Sequence, residues 1–166
     1  MQATTARPAF SSRSTSRSVL AAVIFAAVTV AVAGVGSIAT QGGMDWYDRL
    51  DRPGFTPPGA TFGIVWTILY VVVAVAGWLA WRSTDDRRPT AAWAVQMALN
   101  LAWTAVFFGL ESPWGGLVVI ALLIVAVAVD IRISARTSRL AAALLVPYLL
   151  WCCFAAALNI GIVALN

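Results

Sequence analysis

The stretch Thr61–Trp81 reads TFGIVWTILYVVVAVAGWLAW and contains no charged side chain. A run of about 20 such residues, at 1.5 Å each, crosses a hydrocarbon core of roughly 30 Å as one helix. Four more stretches of the same kind follow the same logic: Val19–Ala39, Ala91–Leu110, Trp114–Ile131 and Leu140–Leu165. Gly, Pro, Arg and Asp punctuate the chain between them. The 166-residue chain is 61% hydrophobic and only 11% charged, against about 45–50% and about 25% for soluble domains. Its mean hydropathy is +0.85. These values predict an all-α integral membrane protein, a bundle of five transmembrane helices. They exclude a soluble α/β enzyme, a nucleic-acid-binding domain and a disulfide-stapled secreted module.

Residue types that are missing narrow the chemistry. The chain has no His, and all 11 basic residues are Arg. Imidazole is therefore absent as metal ligand, haem ligand or general base. Cys152 and Cys153 are adjacent in an apolar run, and neighbours on a helix diverge by about 100°, so they read as small apolar residues. A sequence pI near 9.8 reflects topology rather than nucleic acid.

The arginines test the partition. Arg7, Arg13 and Arg17, then Arg82, Arg87 and Arg88, then Arg132, Arg136 and Arg139 fall on one side of five alternating spans, and only Arg49 and Arg52 on the other. Positive charge is retained in the cytoplasm, which predicts a cytoplasmic N-terminus and a C-terminus outside. Residues 1–18, rich in Ser, Thr and Arg, read as a disordered cytoplasmic tail. Ala31-Val32-Ala33 could end a signal peptide, but the apolar run continues through Ile38 after a long charged lead-in. A retained first span fits better.

The connection 41–60 is long for so compact a chain. It mixes Trp46, Tyr47, Leu50 and Phe55 with Pro53, Pro57 and Pro58. Asp45 is placed to cap a short helix, and Pro53 disfavours helix at Arg52. The segment reads either as an interfacial aromatic belt or as a lid over the outer mouth of the bundle.

Amides inside a bilayer must face protein or a cavity, so Gln96, Asn100 and Asn159 are expected to point inward. Helical spacing places Trp93, Gln96, Asn100, Trp103 and Phe107 on one face, Phe62, Trp66 and Tyr70 on another, and Pro147, Trp151, Ala155 and Asn159 on a third. With eight tryptophans in the chain, these faces suggest an aromatic pocket for a large, flat ligand whose charged substituents reach Arg49 or Arg52. Asp130 reads as a solvated partner of Arg132. The interior would then lack an acid, which counts against proton-coupled transport.

Three motifs give a resemblance. Trp46-Tyr47-x-x-Leu50-x-x-Pro53-x-Phe55-x-Pro57-Pro58 is followed by Phe62-Gly63-x-Val65-Trp66-Thr67-x-Leu69-Tyr70. Leu99-Asn100-x-Ala102-Trp103 precedes Phe107-Phe108-Gly109, and Ser138-Arg139-Leu140 leads to Pro147-Tyr148-Leu149-x-Trp151 and Phe154-Ala155-x-x-Leu158-Asn159. From about Gly34 onward the chain resembles the translocator protein family, also called tryptophan-rich sensory protein or peripheral-type benzodiazepine receptor. The resemblance implies a five-helix bundle in a bacterial cell or outer membrane, commonly a homodimer, that binds protoporphyrin IX-like porphyrins and benzodiazepine-type drugs. It requires no cofactor; porphyrin is the ligand. The family's pocket positions match Tyr47, Pro57, Trp66, Tyr70, Asn100, Phe107, Trp114, Trp151 and Ala155, and Trp46 of the 41–60 connection and Trp103 of the Asn100 face join them. Tyr70 stands where relatives carry Phe. The weak sterol pattern of Tyr followed by Lys or Arg is missing, since no base follows Arg139.

Three functions stay compatible with this reading: a porphyrin-binding receptor or sensor, a light-dependent porphyrin-degrading enzyme using Trp46 and Trp151, and a tetrapyrrole carrier. Orientation is testable directly. A reporter fused after Asn166 should be active only outside the cytoplasm, and one fused ahead of Arg7 only inside. The same location for both ends would rule out five spans.

Overall fold

The computed structural model describes residues 14–166. Six α-helices follow in order: α1 (Thr15–Gly42), the short α2 (Met44–Tyr47), α3 (Gly59–Arg82), α4 (Arg88–Thr104), α5 (Pro113–Ala135) and α6 (Arg139–Leu165). A π-helical turn, Ala105–Gly109, continues α4. Five of the helices are long and apolar enough to cross a membrane: α1, α3, α4 with its π turn, α5 and α6. Four of the spans expected from hydropathy lie inside these helices, and the fifth, Ala91–Leu110, overruns its helix by one residue. Residues 1–13 of the expected tail lie outside the described residues, and helix begins at Thr15 rather than Val19.

Helix starts are set by local chemistry. Ser112 accepts a hydrogen bond from the Gly115 N–H, with Pro113 in the first turn of α5, and Ser138 accepts from the Ala141 N–H at the start of α6. Asp45 does not cap α2, because α1 runs almost directly into it and Gly43 holds the cap position. A side chain at Gly43 would collide with the Phe108 carbonyl, so only glycine lets the two segments meet. Glu111, at φ 51°, makes the tight link between the π turn and α5.

Large apolar side chains lie on the outside as well as the inside; Val30, Ile38, Ile64 and Leu150 are all exposed and suit a lipid surround. The inner core joins Phe25 of α1, Leu69 and Val73 of α3, Trp93 and Met97 of α4, Leu123 and Val127 of α5, and Leu145, Tyr148 and Cys152 of α6. Several polar groups in the interior pair across helices. The Trp93 indole N–H donates to the Val73 carbonyl at 3.0 Å. The Tyr70 hydroxyl donates to Asn100 Oδ1 at 2.8 Å, and Asn100 Nδ2 donates to the Tyr148 hydroxyl at 3.1 Å. One amide thereby pins α3, α4 and α6.

Asp130 requires a correction. It is 1% exposed, receives the Ser134 hydroxyl at 3.0 Å and lies 3.4 Å from Gln96 Nε2. Residues two apart on a helix point about 200° away from each other, so Arg132 faces out while Asp130 faces α4. The interior does hold an acid, and the argument against proton coupling lapses.

If Asn100 is the pin, Asn100→Leu should lower stability by about 1–3 kcal/mol, because the Tyr70 and Tyr148 hydroxyls lose their partner. Thermal unfolding in mild detergent reads this directly. An unchanged midpoint would show that packing alone holds the three helices.

Candidate ligand site

At the end of the bundle that carries the 41–60 connection the helices separate around a cavity of about 570 Å³, within the 300–1,000 Å³ usual for ligand sites. One wall is aromatic. Trp66 stacks near Trp103 with ring centroids 6.3 Å apart, and Trp103 stacks on Phe107 at 5.6 Å. Tyr70 continues this panel toward the floor, 5.5 Å from Trp66. The opposite side is more polar, with Ser37, Thr40 and Gln41 of α1 and Thr67 of α3. α6 contributes Ala155, Leu158, Asn159 and Ile162, mostly apolar.

The 41–60 segment covers the mouth. After α2 it turns at Asp48–Leu50, extends through Pro53 and folds back where the Thr56 N–H bonds the Pro53 carbonyl at 2.9 Å. Tyr47, Asp48, Arg52, Thr56 and Pro57 all border the cavity. Of the two expected readings of this segment, the lid matches its position. Arg52 lies 3.4 Å from Asp48 and 5.1 Å from the centre of the Tyr47 ring. Both members of this pair are partly exposed, so the pair is weak and its guanidinium can exchange partners.

Seven of the expected residues border the cavity: Tyr47, Pro57, Trp66, Tyr70, Trp103, Phe107 and Ala155. Three stand one layer behind. Trp46 meets Phe107 edge-on at 5.5 Å, Trp151 meets Phe62 at 5.9 Å, and Asn100 holds Tyr70 from below. Trp114 does not border the cavity. It is 69% exposed, because at its level α5 turns glycine inward and Gly116 packs against Phe107 and Asn159. The polar wall of α1 was not anticipated, although Ser37, Thr40 and Gln41 recur at three- and four-residue steps in an otherwise apolar span. Phe108 was also missed as a lining residue. The π turn lets it reach the cavity together with its neighbour Phe107.

Two polar atoms of the lining residues are buried without a partner, the Trp103 indole N–H and Asn159 Oδ1. The Asn159 side-chain N–H does donate, to the Pro113 carbonyl at 2.9 Å.

Comparison with known proteins agrees with this architecture. Residues 23–165 match the TspO/MBR family. The chain belongs to that family. Among its TspO/MBR relatives, the tryptophan-rich protein TspO of Archaeoglobus fulgidus is 39% identical, over 89% of this chain and 96% of its own. Protein CrtK of Rhodobacter capsulatus is 35% identical, over 89% and 92%. The human translocator protein is 35% identical, over 75% and 78%. Like this family assignment, the five apolar helices make the chain an integral membrane protein.

Burial pushes the Tyr47 phenol above its ordinary value, and Arg52 draws it partly back. A phenol that holds its proton more tightly when folded contributes stability fully below about pH 10, and that contribution is lost as pH rises through the raised folded value. Tyr47→Phe should therefore flatten the alkaline fall in thermal stability. A profile identical to that of the parent protein would mean that Tyr47 is as solvated in the folded protein as in the unfolded chain.

Proposed function

We propose that this protein is a membrane receptor that binds flat, amphipathic tetrapyrroles of the protoporphyrin IX type, and drug-like molecules of similar shape, between its aromatic panel and the hydroxyl-bearing wall of α1. The observation that carries the reading is the cavity itself: stacked Trp66, Trp103 and Phe107 on one side, with Arg52 at the mouth. A macrocycle offers a π-face to the first and carboxylate substituents to the second. Relatives named tryptophan-rich sensory protein and translocator protein support a sensing or translocating role. On the arginine distribution, the mouth opens on the side away from the cytoplasm. Two copies would meet through the exposed small residues Ala94 and Ala98 of α4 and Ala105 of the π turn, which permit close backbone approach.

A titration with protoporphyrin IX in darkness tests the reading. Trp66→Ala should weaken binding about tenfold or more, the equivalent of about 1.4 kcal/mol of lost stacking. Ala155→Phe should fill the cavity and abolish binding, and Trp114→Ala should bind like the parent. Equal affinity for all of these, with the proteins folded, would overturn the pocket assignment. Repeating the titration in light separates receptor from photochemical enzyme, because only the enzyme loses the porphyrin absorption band. Trp66 and Trp103, which line the cavity, are nearer electron donors than Trp46 and Trp151.

A further inference from the structure

We infer that Asn166 is a positioning residue for the lid: its side-chain amide latches Asp51 to the outer end of α6 and so sets how fast a ligand enters and leaves the cavity. The kinetic half of this inference rests on the ligand-binding reading above; the latch itself does not.

The amide is fully committed. Asn166 Oδ1 accepts the Asp51 backbone N–H at 3.1 Å, and its Nδ2 donates to the Asp51 carbonyl at 3.0 Å and to the Ile162 carbonyl at 2.8 Å. Two hydrogens meet two carbonyls and the oxygen meets an N–H, so the reversed amide would lose all three bonds. The third bond orients the side chain on its own helix, leaving the first two to hold a residue distant in sequence. Asp51 lies in extended chain after α2, where its backbone belongs to no helix. Asn166 thus replaces the partners that secondary structure would otherwise supply.

A second contact stands beside it. Pro53 lies so close to Gly161 that a single methyl there would collide with the proline ring. Two turns earlier on α6, Phe154 meets Phe55 at 6.4 Å. Phe154 and Gly161, seven residues apart, share one face of α6, and the adjacent face lines the cavity with Ala155, Leu158 and Ile162. One helix therefore walls the site and grips its cover. The gripped residues, Asp51, Pro53 and Phe55, alternate along the chain with the cavity-bordering Arg52 and Thr56. Moving the latch moves the arginine at the mouth.

The latch bonds are exposed, so water competes for them and they can open without disturbing the buried core. Such a contact governs rates more than folding.

The test uses the full chain in lipid nanodiscs. In Asn166→Ala, without ligand, the Asp51 amide should exchange hydrogen about three- to tenfold faster, and amides of the buried middle of α6 should not change. Asn166→Asp, which loses both donors and adds a charge beside Asp51, should behave alike. Gly161→Ala, displacing Pro53, should loosen the same segment. With protoporphyrin IX followed by Trp quenching, association and dissociation should both quicken, with the dissociation constant moving less than either rate. A general structural defect would instead raise exchange throughout α6 and weaken affinity. Unchanged Asp51 exchange would overturn the latch. Faster exchange with unaltered ligand rates would overturn its control of access. If the parent protein binds no porphyrin, the ligand reading fails and the exchange measurement decides the latch alone.

Discussion

Asn100 sits where the requirements of the bilayer and of the site coincide. Its amide accepts from Tyr70 and donates to Tyr148, closing one network over three helices. Lipid cannot replace such partners, so α3, α4 and α6 must present these faces to one another. Below the network, aliphatic side chains and Trp93 fill the bundle. Above it the same three helices carry aromatics that do not fill the space between them, and the cavity begins. Tyr70 serves both halves, its hydroxyl tied to the floor and its ring continuing the aromatic wall.

The cavity end of the bundle takes its shape from where large and small residues fall. α5 offers Gly115 and Gly116 at the level of Phe107, which lets the π turn press inward and sends Trp114 outward. α1 offers Gly36 to Thr104 and hydroxyls to the cavity. The result is a two-sided site, aromatic on α3 and α4 and polar on α1. The polar groups of that side are engaged within their own helices, Thr40 donating to the Gly36 carbonyl at 2.9 Å and Ser37 accepting from Gln41 Nε2 at 3.0 Å, so they tolerate the cavity without needing an occupant.

Much of this was legible in the sequence because a bilayer simplifies the code. Apolar length gave the five spans, and the rule against idle amides turned Gln96, Asn100 and Asn159 inward, where each is at most 1% exposed. Failures came where a single-helix view is too local. Asp130 was judged by Arg132, a neighbour in sequence that lies on the other side of α5. Trp114 was placed by motif position, although the glycines beside it decide which way α5 faces. The π turn leaves no periodic signature, and the pairing of Asp51 with Asn166 joins residues 115 apart, beyond the reach of any local pattern.

Trp103 and Asn159, both residues of the cavity lining, hold a donor and an acceptor that no protein atom satisfies. Burying such a group unpaired costs on the order of 1–3 kcal/mol, a burden that a core selected only for stability would shed by substituting apolar side chains. Neither atom is open to the cavity, and Asn159 Oδ1 lies toward Gly116 of α5; Gln96 Oε1 and Trp151 Nε1, away from the cavity lining, are buried unpaired in the same way. A ligand that bound only the folded state would stabilise it with the logarithm of its concentration above the dissociation constant. Under the proposed function, flat aromatic faces would select the occupant by shape, and the segment held by α6 would govern its exchange with the outside.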